Sequence, residues 1–193
     1  MKNLFLNLIR KISLIALLGL AMMTVTRPSE AGYWDFSLGF NYNRSEYANG
    51  SYSWNRRYGT SLGFNFTEAT KIEFGFQDSY DRNKFTGFED STYHDRVYSL
   101  NWVQSFTGKE AFAQPYLKAG VGVLNRDAMT TDSLGRSQSS QTDSITGVVG
   151  VGLRMKLTQT LGLRMEGTSY LSGGKVSTWK DNFAATFGVS LYF

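Results

Sequence analysis

Arg164 and Glu166 stand two residues apart, as do Arg154 and Lys156, and in an extended chain that spacing puts both members of a pair on one face. Asp35, Glu73 and Lys118 hold the same phase in their own stretches, which makes three acids and four bases. Gathered in one place, such a set can form a mutually neutralising ion-pair network, or line a narrow charged path for small solutes or ions. A second chemistry would need His94, the single histidine, which lies beside Ser91 and Asp95. A base, a hydroxyl and an acid act together only within hydrogen-bond reach, and these three fall where a polar connecting stretch enters a strand-like one. Asp127, Asp132 and Asp143 lack the compact oxygen-ligand spacing of a calcium loop and read as solvated loop charges. Gly120-x-Gly122 and Gly150-x-Gly152 sit inside strand-like stretches, not at a strand-to-helix turn, so neither is a nucleotide fingerprint. No metal or cofactor is expected. With no cysteine there is no disulfide framework and no thiol chemistry.

The elements that must position these charges repeat with a period of two, eight times over. In 33–43, Trp34, Phe36, Leu38, Phe40 and Tyr42 alternate with Ser37, Gly39, Asn41 and Asn43. The stretches 54–66, 71–81 and 95–106 follow suit, although Val103 breaks the last of them. So do 115–125, 145–157, 161–171 and 182–193. The connections alternate too. Stretches rich in Ser, Gly, Asn, Asp and Thr (44–53, 82–94, 126–144 and 172–181) take turns with the short links 67–70, 107–114 and 158–160. One end of the sheet therefore carries long polar loops, and the other carries short turns and both termini.

Residues 1–31 are expected to be a cleaved signal peptide, with domain 32–193 as the mature protein. Lys2, Arg10 and Lys11 form a basic leader, 12–25 an apolar stretch too short to span a bilayer as a helix, and Ser29-Glu30-Ala31 a small-residue end. That leader carries much of the basic excess, so the mature chain is near neutral, about +1, and nucleic acid is not an expected partner. No other stretch approaches the apolar length of a membrane-spanning helix.

A soluble sheet turns its apolar face inward and its charged face to water. Here the polar face is mostly Gly, Ser, Thr and Asn, with few of the Lys and Glu that solubilise an exposed sheet. A membrane barrel inverts the arrangement, with lipid against the apolar face and the lumen lined by the polar one. The expected fold is therefore all-β, an eight-stranded antiparallel up-and-down transmembrane β-barrel. Trp34, Tyr42, Tyr58, Tyr80, Trp102, Tyr116 and Phe193 are expected to form its interfacial girdles. Inward glycines such as Gly39, Gly63, Gly75, Gly120, Gly152 and Gly188 would give long Arg and Lys chains room to cross the lumen.

On this pattern the chain resembles the small eight-stranded outer-membrane barrels of Gram-negative bacteria, of the OmpA transmembrane-domain and OmpX type. The most specific part of the likeness is the carboxyl end, with Phe193 last and Leu191, Val189 and Phe187 at alternate positions before it. The resemblance implies that this end is read by the outer-membrane assembly machinery, and that outer-membrane lipid and lipopolysaccharide surround the protein. Some barrels of this kind modify lipid A. The His-x-Ser spacing of the deacylases is absent, because Arg96 takes the serine's place, and no amphipathic amino-terminal helix of the acyltransferase type is seen. The expectation is a non-enzymatic, monomeric barrel. Asp35, Glu73, Lys118, Arg154, Lys156, Arg164 and Glu166 would fill its lumen, with a narrow gated channel as the alternative. Its role would be structural, in membrane integrity, or interactive, through outer loops that contact a host surface, a lipopolysaccharide sugar or another protein, with Tyr47, Tyr52, Phe85, Phe88 and Trp179 as candidate contacts.

Overall fold

The alternating stretches become eight strands: β1 (Tyr33–Glu46), β2 (Tyr52–Asn65), β3 (Thr70–Lys84), β4 (Asp90–Ser105), β5 (Ala113–Thr131), β6 (Ser137–Lys156), β7 (Leu161–Ser172) and β8 (Phe183–Tyr192). The computed structural model describes residues 32–47, 50–85, 90–108, 110–132, 134–172 and 182–193. The expected signal peptide, Phe88 and Trp179 lie outside the described residues.

Each strand pairs antiparallel with the next, and β8 returns to β1, so the sheet is a closed barrel. At the seam the register runs from Asp35 opposite Tyr192 to Phe40 opposite Phe187. Reciprocal backbone bonds between Trp34 and Phe193, of 2.9 and 3.0 Å, extend it to the last residue. Closure leaves no strand edge along this band, which is the condition for crossing hydrocarbon without orphaned backbone groups.

Apolar side chains point outward in a continuous belt. Phe74, Leu100, Val121, Val151 and Phe187 are among the exposed large hydrophobics. A soluble protein rarely exposes so much, and a lipid-facing surface requires it. Polar and charged side chains are the buried ones, and several apolar residues share the lumen with them. Val103 belongs to that inner set at 1% exposure, so it does not interrupt the alternation: it is an apolar residue in the inward phase. Val97, Leu124, Val148, Tyr170 and Ala184 form an apolar cluster across the lumen, held by the register pairs Val97 with Leu124 and Val148 with Tyr170.

Two of the short turns are hydroxyl-capped. Thr67 Oγ1 accepts from the amides of Ala69 and Thr70, and Thr158 Oγ1 from those of Thr160 and Leu161. At the other end the strands run further than the apolar alternation suggests. The polar stretch 126–144 is mostly ladder: β5 and β6 stay paired out to Thr131 opposite Ser137. The tip left between them is held by Asp132 Oδ1, which accepts from the amides of Leu134 and Arg136, and by Gly135 with φ of 78°. Beyond the membrane both faces of a hairpin meet water. The sequence therefore loses its alternation while backbone pairing continues.

Candidate functional site

The buried charges lie low in the lumen, near the short turns. Glu73 sits at the centre of the group and is fully buried. Its carboxylate accepts from Arg164 Nη1 and Nη2 at 2.8 and 3.0 Å and from Lys118 Nζ at 3.3 Å, and pairs with Lys71 Nζ at 2.8 Å. Lys71 also bonds both oxygens of Asp35, at 2.8 and 3.1 Å, and Asn65 Nδ2 donates to the same carboxylate at 2.8 Å. Glu166 closes the circuit, paired with Lys118 and with Arg164. Every carboxylate in the group thus meets at least one cation, as charges taken out of water must.

Lys71 was not among the expected members, yet it is 2% exposed and bridges two of the three acids. The signal was present, since Lys71 lies two residues before Glu73 and shares its phase. Tyr116 corrects an expectation outright. It is not a girdle residue but is 1% exposed inside the lumen, donating to Glu166 Oε2 at 2.6 Å and accepting from Arg164 Nε at 2.8 Å. The guanidinium carbons of Arg164 and Arg154 lie over its ring at 5.3 and 5.4 Å. Gly152 makes this possible, because a Cβ there would overlap the Tyr116 ring. Tyr116 shares the inward phase of Lys118, and only its ring and its position near a strand end suggested the outer face.

Arg154 is 3% exposed, but its Nε and Nη2 find no hydrogen-bond partner among the described residues. Lys156 stands at the rim, where its Nζ lies 3.9 Å from the Glu110 carboxylate. Of the seven expected charges, five therefore form one bonded circuit with Lys71 and Tyr116. Arg154 joins them through the tyrosine ring, and Lys156 pairs with Glu110 at the rim.

Above this network the lumen holds a small cavity of about 60 Å³, between Glu73, Arg164 and Tyr170. Next comes a layer formed by the Tyr170 hydroxyl donating to Gln77 at 2.7 Å and the apolar cluster around it. Beyond that layer the barrel widens into a vestibule of about 970 Å³ lined by Asn41, Asn43, Arg57, Asp81, Asp95 and Arg126. Two of its charges are already engaged: Arg126 donates twice to Asp95, at 2.8 and 2.6 Å.

Ser91, His94 and Asp95 do not assemble into a catalytic group. His94 alternates with the inward residues of β4, and its Nε2 lies 2.8 Å from Asp78, while Asp95 is taken by Arg126. The three loop aspartates are also apart in role: Asp127 pairs with Arg96, Asp143 accepts from Asn125, and Asp132 holds its own tip. Tyr47 and Phe85 do come together, their ring centroids 6.0 Å apart on neighbouring hairpins. Tyr52 lies under the Arg44 guanidinium at 6.0 Å. Trp54 stacks on Tyr80 at 5.2 Å, with Arg56 over the rings of Tyr58 and Tyr80. This arginine-aromatic ladder sits where an interfacial girdle belongs.

The model of the outer membrane protein beta-barrel domain matches residues 12–193. The chain belongs to that family. Its architecture is shared with the N-terminal β-barrel domain of OprF from Pseudomonas aeruginosa, at 16% identity over 86% of this chain and 100% of that one, TM-score 0.55. The attachment invasion locus protein Ail of Yersinia pestis is similar at 12% identity over 84% and 99%, TM-score 0.56. OprG of Pseudomonas aeruginosa is similar at 14% identity over 85% and 97%, TM-score 0.56. At these identities the likeness concerns the fold. No curated protein matches the sequence.

Proposed function

We propose that this outer-membrane barrel is a closed scaffold that holds its outer hairpins as a surface for contact with other molecules. The observation that carries the reading is the length of those hairpins. β5 and β6 remain paired well past Val123 and Ile145, the last apolar pair of the lipid-facing belt. Likewise β1 and β2 stay paired out to Glu46 opposite Tyr52, and β3 and β4 to Lys84 opposite Asp90, which sets Tyr47, Tyr52 and Phe85 at the outer ends of paired strands. The lumen beneath supports a scaffold more than a pore, being filled by the Glu73–Arg164 network and by the apolar cluster around Tyr170. A named relative by fold, Ail, is an attachment invasion locus protein. We assign contact with a host surface or protein ligand to this chain on the hairpins themselves. In the same reading Phe187, Val189, Leu191 and Phe193 form the signal for the assembly machinery, the mature domain begins at residue 32, and the barrel is a non-catalytic monomer in lipid and lipopolysaccharide.

Cells expressing the protein, and cells expressing a triple variant with Tyr47→Ala, Tyr52→Ala and Phe85→Ala, are compared for adhesion to host-cell monolayers. The variant should reach the outer membrane at the same level and adhere several-fold less. Equal adhesion by the two would count against the contact surface.

A further inference from the structure

The seam between β1 and β8 is incomplete on its outer side. β1 pairs with β2 all the way to Glu46 opposite Tyr52, but its pairing with β8 stops at Phe40 opposite Phe187. Continued, the register would set Asn41 against Thr186 and Tyr42 against Ala185. No such pairs form, although both segments are among the described strand residues. One carbonyl left open there is met by an unusual donor: Arg57 Nη1 reaches across from β2 to the backbone oxygen of Phe183 at 3.2 Å.

Two cavities meet at this gap. The vestibule, about 970 Å³, lies inside, and a groove of about 840 Å³ lies on the lipid-facing side, lined by Phe40, Tyr42, Val151, Leu153, Met165 and Phe187. Asn41, Tyr42 and Ala185 line both, so the two spaces border one another at the open seam. The groove is apolar and the vestibule polar, which asks for a ligand with one end of each kind. The head-group end holds two arginines and two aspartates, and they differ in how far they are engaged. Asp95 is neutralised by Arg126, and Asp81 accepts from Asn55, whereas the Arg57 Nε has no partner among the described residues. Neither Arg57 nor Asp81 forms an ion pair among the described residues, but the Asp81 carboxylate is met by Asn55 while Arg57 keeps an open donor, so the guanidinium is the group left to take an anion, and its plane suits a carboxylate. The groove is open to the lipid side, and an acyl chain can lie along its apolar lining.

We propose that the open β1–β8 seam is a lateral binding site for a single-chain anionic amphiphile of the fatty-acid class. Its chain lies in the outer groove and its carboxylate enters the vestibule to meet Arg57. The site is separate from the hairpin tips and does not depend on their contacts.

The full mature protein, folded in nanodiscs of phosphocholine lipid, is titrated with oleate and followed by NMR through the amides of Asn41, Tyr42 and Ala185. Saturable shifts are expected with oleate, and none at equal concentration with methyl oleate or oleylamine, which lack the anionic head. Arg57→Gln and Ala185→Phe, the first at the head position and the second filling the groove, should each weaken binding about ten-fold. Heat-modifiable migration verifies that both variants are folded. Equal shifts with methyl oleate, undiminished binding in both folded variants, or no saturable response to oleate would each overturn the proposal. Tyr47→Ala with Phe85→Ala should leave the titration unchanged, so failure of the adhesion reading and failure of the seam site are told apart.

Discussion

Arg164 is the residue on which the lumen turns. It bonds Glu73 with two nitrogens, pairs with Glu166, donates to Tyr116, and reaches Ser37 and Ser61 at 3.2 and 3.1 Å. Removing one partner of a buried ionic group leaves the others charged and unpaired, which costs about 3–5 kcal/mol. Arg164→Met should lower the stability of the folded barrel by that order in urea titrations, read from the heat-modifiable gel shift. Arg154→Met should cost less, about 2 kcal/mol at most, because the arginine contributes a stacked cation and no hydrogen bond from Nε or Nη2. Four cations (Lys71, Lys118, Arg154 and Arg164) also face only three carboxylates (Asp35, Glu73 and Glu166), so loss of Arg154 evens the balance. If the two variants are equally destabilised, the bonded circuit does not dominate. At the β5–β6 tip, the backbone amide of Arg136 holds the Asp132 carboxyl below the usual aspartate range, helped by the Arg136 side chain and the Leu134 amide. A carboxyl depressed in the folded tip supports it above the unfolded aspartate range, and that support fades as pH falls through the lowered value. Amide exchange at Leu134 and Arg136 should therefore be slow at neutral pH and, after correction for intrinsic rates, lose protection only under acid conditions. Asp132→Asn should show the loss at all pH values.

Among the elements, strand phase decides what a substitution costs. Val121 points into lipid near the middle of the apolar belt of β5, while Asn125 shares its phase above the belt. Val121→Arg should destabilise by about 2–4 kcal/mol and Asn125→Arg by about 0–1 kcal/mol, a difference that refolding equilibria into lipid vesicles would measure. Equal penalties would mean the belt is misplaced. Phase is also what made the fold legible, since the period of two in 33–43 or 182–193 gives both strand and face without any contact information. Where residue type and phase disagreed, type misled. Tyr116 looked like a girdle aromatic, and Val103 like a fault in β4, though both sit inward in step with their neighbours. The outer halves of β5 and β6 were illegible for another reason. Ser, Thr and Gln facing water on both sides carry no alternation, and only their pairing shows the strand. The open seam could not be read at all, because it is a property of two strands that are distant in sequence.

For the whole molecule, closure of the lumen is the consequence that matters most. An ion entering from the vestibule meets first the layer made by Tyr170, Gln77, Val97, Leu124 and Val148, and then the circuit of Glu73, Arg164, Lys71 and Lys118. The two barriers differ in kind. The upper layer offers an ion almost no replacement for its hydration, and the lower one admits a charge only by breaking pairs already made. They stand in series, so opening one leaves the other shut, and an eight-stranded barrel has little spare width to bypass either. The native protein should therefore show no unit conductance in planar bilayers, and neither should Arg164→Ser or Tyr170→Ala alone. The double variant, with a gap in both layers, should pass small ions in discrete steps. Reproducible steps from the native protein would mean that the network rearranges to open a path, and the barrel would then be a gated channel. Steps from Tyr170→Ala alone would place the whole barrier in the apolar layer and leave the buried charges with a purely structural role.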